Sequence, residues 1–359
     1  MAKDFRKAYY SQLGVQAVEV KNSLDSILQE DLIGKWNSPP MEDHGPSMTF
    51  ILTCGLTLDL SSAEVDKISK LAMNYRIPSH YRPLIWKILL GNPPHLLPPY
   101  QWVFWVLTAP PHLPPWFSGC LPVCRETWEF VANEHREQYA DVRRAAQFLF
   151  SNGVAWKQGL NPEQLVQLTL VAAGKYRWFA QEAFRREELP TLKALADVFL
   201  EYCEDEGDAF WIFERFLRGQ DLLKQDFFEG SSRVYAQVNQ LSRLLKAHDS
   251  EFFEALRLKG VELDEFAVRW FRSYFAESLS SSALERIFDL IIVGHPSIVV
   301  FVALCILLKF KSKILHMKTS HEVKQLLMLV SALGFRVPLF TFSSSSSSLI
   351  SVLIQLPLL

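Results

Sequence analysis

A carboxylate and an arginine spaced for one helix face are the first residues that could do chemistry. In the segment QYADVRR, Asp141 and Arg144 stand in a D-x-x-R arrangement, and WKQGLN shortly downstream supplies Trp156 and Gln158. Residues three apart on a helix are neighbours, so Asp141 can hold the Arg144 guanidinium in one orientation. A cation presented in that way can neutralise charge developing on a transferring phosphoryl group, and a glutamine amide can orient the attacking water. A plainer reading stands beside it. Asp141 and Arg144 also fit a solvated helix pair worth a few tenths of a kcal/mol. Gln158 also fits a polar loop residue just ahead of a helix that begins at Asn161-Pro162.

Other reactive groupings are scarce. Glu204, Asp205, Glu206 and Asp208 form an acidic cluster that suits a helix N-terminus better than a metal ion. The nine histidines show no H-x-x-x-H pairing and no glycine-rich phosphate loop is present, so the chain itself is not expected to bind GTP. Cys54, Cys120, Cys124, Cys203 and Cys305 are few and odd in number, which points to reduced thiols in the cytoplasm. Cys120 and Cys124 approach zinc-ligand spacing but lack a second Cys or His pair, so neither a metal nor any other cofactor is expected.

The elements that must position these residues read as helices. Apolar positions recur at helical spacing over 3–31, 62–73, 126–150, 162–173, 176–187, 191–218, 232–258, 264–276, 282–293 and 297–317, and a further helix opens in SHYRPLIWKILLG. No alternating strand pattern competes, so the fold class is all-α. Asp141 and Arg144 fall on the helix over 126–150. With 49% apolar and 21% charged residues, a sizeable core is within reach. The formal net charge of -2 offers no electrostatic footprint for nucleic acid or an anionic membrane. The opening MAKDFRKAYYSQLG lacks the apolar run of a signal peptide. The apolar run 298–308 falls well short of the roughly 20 residues that a membrane span needs, so a buried helix is expected there.

Composition divides the chain into an N-terminal helical segment (1–31), an irregular insert (32–61), a main domain (62–317) and an atypical tail (318–359). The main domain is interrupted at 93–124 by a Pro- and Trp-rich, uncharged insert, and the tail carries a run of six serines in an apolar setting. Translated non-coding sequence would account for the irregular segments 33–58, 98–124 and 328–359.

Several pieces, collinear over roughly 76–317, resemble the TBC (Tre-2/Bub2/Cdc16) domain of Rab-GTPase-activating proteins. Arg82 and Trp86 match its R-x-x-x-W helix, and Asp208, Ala209, Phe210 and Trp211 its acidic-Ala-Phe-Trp helix. Phe266, Ala267, Arg269, Trp270, Phe271, Phe275, Leu284, Arg286, Phe288, Asp289, Gly294, Phe301 and Ala303 follow its C-terminal signature. The resemblance implies a two-lobed helical domain and a Rab-family GTPase as partner. It further implies a catalytic arginine from I-x-x-D-x-x-R, here Arg144 with Asp141 and with Gln138 in place of Ile. The corresponding glutamine of Y-x-Q would be Gln158, with Trp156 replacing Tyr and Leu160 replacing Met in the residues that follow. This chain places the two closer together than the family does. Arg82, Trp86, Phe210, Trp211, Trp270 and Asp289 are expected to serve as structure.

Within that family, DFRKAYYSQLGVQAVEVKNSLDSIL, EHREQYADV and FVALCILLKFKSKIL resemble the branch that furnishes the third subunit of the tuberous sclerosis complex. That branch lacks both finger residues. It implies an adaptor that clasps a hamartin-like coiled coil, supports activation of the small GTPase Rheb and restrains target-of-rapamycin signalling. Vesicle or lysosome surfaces are then the expected place of action. Phe5, Tyr9 and Trp178 are candidates for the groove, although a core position is favoured for each. An active Rab GTPase activator is the alternative.

Overall fold

The computed structural model describes residues 62–91, 128–150, 156, 159–220, 222–223, 231–294 and 296–328, and among these no strand occurs. The helix expected over 3–31, the irregular inserts, Phe5, Tyr9, Cys54, Cys120, Cys124 and Gln158 lie outside the described residues.

Helices form where apolar residues recur every three or four positions, because only that spacing gathers them on one face. In order they are α1 (Ser62–Asn74), α2 (Arg82–Gly91), α3 (Trp128–Phe150), α4 (Pro162–Ala172), α5 (Leu189–Tyr202) and α6 (Glu206–Gly219). There follow α7 (Ser231–His248), α8 (Ser250–Leu258), α9 (Asp264–Arg272), α10 (Ser281–Ile292), α11 (Ile298–His316) and α12 (Ser320–Met328).

Two groups of helices pack as lobes. In the first, α3 and α5 both lie against α4 and α6, and α2 lies against α6. In the second, α7 packs on α8, α9 and α11, while α9 also meets α11 and α12. Helix α10 joins the two by packing on α1 and α2 on one side and α11 on the other. Phe199 of α5 sits where several helices meet, with the rings of Trp86, Phe213, Phe216 and Phe288 centred 5.1–5.6 Å away. Such aromatic pairs add about 1 kcal/mol each beyond the area they bury.

Four expected helices end or break where local chemistry overrides the apolar period. The helix over 191–218 is two, because the Asp205 carboxylate accepts the Asp208 N–H at 2.9 Å and caps a new start. Likewise Asp249 accepts the Phe252 N–H at 3.0 Å and divides 232–258. Between Tyr176 and Glu188 a 3-10 turn (Tyr176–Ala180) and a π turn (Phe184–Glu188) replace an α-helix. Gly174 at φ +68 redirects the chain before them. After them Pro190 has no N–H to offer, and the Leu189 N–H bonds back to the Phe184 carbonyl.

The fourth case is α9, which stops at Arg272 rather than 276. Tyr274 and Phe275 adopt φ of 48 and 66, a left-handed turn that costs non-glycine residues roughly 1–3 kcal/mol each. Both side chains are thereby driven fully into the core. Burial of two large rings offsets the strain.

The apolar run 298–308 is part of α11, whose Val299, Val300, Ala303, Ile306 and Leu307 are buried against its neighbours. No described helix is long and apolar enough to cross a membrane. At the start of the expected tail, α12 packs on α9, and Lys324 reaches Glu265 at 2.6 Å.

Candidate functional site

Helix α3 is amphipathic, and its two faces determine what it offers. Val131, His135 and Ala146 are buried, with Tyr139, Val142 and Phe150 half-buried beside them. Arg136, Glu137, Ala140, Asp141, Arg144 and Phe148 face outward. Arg144 donates to the Asp141 carboxylate, and the two side chains are 78% and 68% exposed. The pair therefore forms on an open face, where a cation is available to an incoming molecule.

Arg143, one residue earlier, points the other way. Its guanidinium donates to Glu206 in the first turn of α6, and the Tyr139 hydroxyl donates to the same Glu206 oxygen at 2.9 Å. Burial first, then the bond to Glu206, raises the pKa of the Tyr139 phenol, so it stays protonated as a donor. The second Glu206 oxygen accepts the Gly159 N–H at 2.9 Å. Gly159 lies at φ +92, a backbone state that favours glycine. Trp156 and Leu160 pack against the core on either side of it. Asn161 and Gln164 then form a reciprocal capping box, at 2.8 and 3.0 Å, that starts α4. The structure thus brings Gly159 to the same Glu206 carboxylate that α3 reaches, while Gln158 lies outside the described residues.

Beside this junction lie groups unsuited to acid–base or nucleophilic work. Burial, followed by the Asp208 charge, pushes the Cys203 thiol up to about 12. His135 is lowered to about 4 by burial and then by Lys87, against the opposing pull of Asp208. Its ring stacks on Trp211 at 4.7 Å, and the Trp211 indole donates to the His135 carbonyl at 3.1 Å. Lys87 pairs with Asp208 at 2.7 Å and joins α2 to α6.

The remaining motif residues sit in the scaffold. Asp289 of α10 is fully buried and accepts from Arg82 Nε at 3.1 Å and from the Trp86 indole at 2.9 Å. Arg82 also reaches the Ile77 carbonyl at 2.8 Å and lies 5.2 Å from the Tyr202 ring centre. Burial pushes the Asp289 carboxyl up, opposed by the neighbouring Arg82 charge. Phe210 and Trp270 are buried, and Trp211 is half-buried against the core. All three rings and Trp86 belong to one helical body.

Comparison with known proteins meets this geometry at the same helices. A family model for the Rab-GTPase-TBC domain matches residues 190–315, from the start of α5 to the end of α11. Over those residues the chain is similar to a TBC domain. TBC1 domain family member 7 of Homo sapiens is 24% identical over 326 residues, which cover 90% of this chain and 88% of that protein. GTPase-activating protein GYP5 of Saccharomyces cerevisiae is 25% identical over 107 residues, covering 30% of this chain and 12% of that protein. The crystal structure of the YPT/RAB-GAP domain of Gyp1p superposes with a TM-score of 0.50 at 18% identity, covering 83% of this chain and 92% of that one. At that identity the likeness is one of fold. Asp141, Arg144 and Gln158 all precede the stretch matched by the TBC family model.

Glu206 is the site residue that the sequence did not single out. It stood only as one carboxylate of an acidic cluster, and its partners lie 47 to 67 positions away. The nearest signal was the acidic run itself, which marks the start of α6.

Proposed function

We propose that this chain is an adaptor that docks a hamartin-like coiled coil, as the third subunit of a tuberous sclerosis-type complex does, and so supports GTPase activation and restraint of target-of-rapamycin signalling. One observation carries the reading: similarity to TBC1 domain family member 7 extends over 90% of this chain, whereas that to GYP5 stops at 30%. An adaptor needs an exposed helix face with an apolar anchor, and exposed aromatics commonly supply such anchors. The outward face of α3 ends in Phe148, which is 86% exposed. The action is placed in the cytoplasm, at vesicle or lysosome surfaces. Co-expression of the full chain with a hamartin coiled coil tests the reading. Co-purification as a stable complex is expected, and recovery of the two proteins apart would refute it.

A second reading, an active Rab GTPase activator, is favoured by the convergence on Glu206. Arg143 and Gly159, the neighbours of Arg144 and Gln158, share that one carboxylate. Single-turnover GTP hydrolysis across a Rab panel tests it. Acceleration on the order of 10³-fold that Arg144→Ala abolishes is expected of a working activator.

A further inference from the structure

The whole-chain charge of -2 hides an uneven distribution over the second lobe. No Asp or Glu occurs between Asp289 and Glu322, and residues 309–318 carry four lysines. This half of α11 runs beside α8. Lys311 pairs with Asp249 ahead of α8, and Lys259 beyond it donates to the Met317 carbonyl at 2.5 Å. The C-terminal ends of the two helices therefore meet. Three carboxylates in these elements are already engaged: Asp249 by Lys311, Glu254 by Arg257 at 2.8 Å, and Glu322 by the N–H groups of Lys318 and Thr319. Glu251 lies in the first turn of α8, at its other end. Among the described residues no carboxylate pairs with the Lys313 or Lys318 side chain, and both residues are exposed.

The helix dipole accounts for Lys313, in the last turn of α11. It accounts neither for Lys318, beyond the helix end, nor for two leucines at the same junction. Leu258 directly precedes Lys259 and is 82% exposed, and Leu315, two residues before Met317, is 40% exposed. A single exposed leucine is ordinary. Two of them on a cationic helix end make the combination that an anionic bilayer takes up, with leucine among the acyl chains and lysine at the phosphates. We propose that the joined ends of α8 and α11 dock on an anionic lipid surface. No described helix is long and apolar enough to cross a membrane, so the contact is peripheral. An acidic protein segment would satisfy the lysines but would need a groove for the leucines, and a side chain as exposed as Leu258 lines none.

The test is flotation of the full chain with vesicles of phosphatidylcholine alone or mixed with phosphatidylserine. Binding to the anionic vesicles only, lost in high salt, is expected. A lysine near such a surface strengthens partitioning about fivefold. Lys313→Ser combined with Lys318→Ser should therefore weaken binding roughly 25-fold, and Leu258→Asp roughly tenfold. All three positions are exposed, so the variants should melt as wild type does. Equal binding to both kinds of vesicle, or binding that the substitutions leave unchanged, would place the contact elsewhere on the chain and overturn the proposal. So would capture of a polyglutamate peptide in place of vesicles, which would assign the lysines to an acidic protein, and so would binding to neither. No coiled coil is present in the assay, so each of these outcomes leaves the adaptor reading to its own test.

Discussion

The indole of Trp86 donates to Asp289 Oδ1 at 2.9 Å, joining α2 to α10 across 203 positions of sequence inside the core. The same oxygen accepts a hydrogen bond from Arg82 Nε, and Arg82 is 1% exposed. Removing the carboxylate would leave the buried guanidinium with the Ile77 carbonyl and the longer Glu285 contact at 3.3 Å, and breaking such a buried pair typically costs about 3–5 kcal/mol. Asp289→Ala is therefore expected to lower stability by that amount in urea unfolding. Trp86→Phe should cost less through the lost hydrogen bond, roughly 1–2 kcal/mol. A loss below 1 kcal/mol for Asp289→Ala would mean that this cluster does not hold the helices together.

Stability should fall with acid through His135. Its folded pKa of about 4 lies below the ordinary histidine value of 6.5, because burial and then Lys87 disfavour the charged ring. Between those values the unfolded chain binds the proton and the folded chain does not, so stability rises with pH. The contribution is present above 6.5 and is lost as pH falls toward 4. It amounts to on the order of 3 kcal/mol. His135→Phe keeps a ring against Trp211 and removes the proton site. Urea unfolding from pH 4 to 7 should then show a flatter profile than wild type, and an unchanged slope would assign the acid sensitivity elsewhere.

Gly159→Ala isolates backbone strain. Nothing lies within 4 Å of a Cβ built there, so the cost comes from φ +92 alone. About 1 kcal/mol is expected in thermal unfolding. A neutral substitution would show that the loop relaxes away from Glu206.

The scaffold was more legible than the site, for physical reasons. Trp86, Phe210 and Trp270 repeat with the helical period and bury, so the pattern that identifies the helices also identifies the core. Asp205 and Asp249 break two of those helices through single capping bonds, which an apolar period does not register. Tyr274 and Phe275 continue the period of α9 in sequence yet enter the core through a left-handed turn. Arg144 stands on the helix and beside the carboxylate that its spacing implied. The role of Glu206 was hidden because all three of its partners come from distant elements, and nothing in an acidic run distinguishes a cap from a tie.

The adaptor account stands most directly on one titration: a hamartin coiled-coil peptide into the full chain, followed by calorimetry, for wild type and Phe148→Asp. Saturable binding is expected for wild type, with at least a tenfold weaker Kd for the variant, since an anchor aromatic commonly contributes about 2 kcal/mol or more. Because Phe148 is 86% exposed, the thermal stability of the variant should match wild type. Absence of binding by the folded wild-type chain would contradict the account.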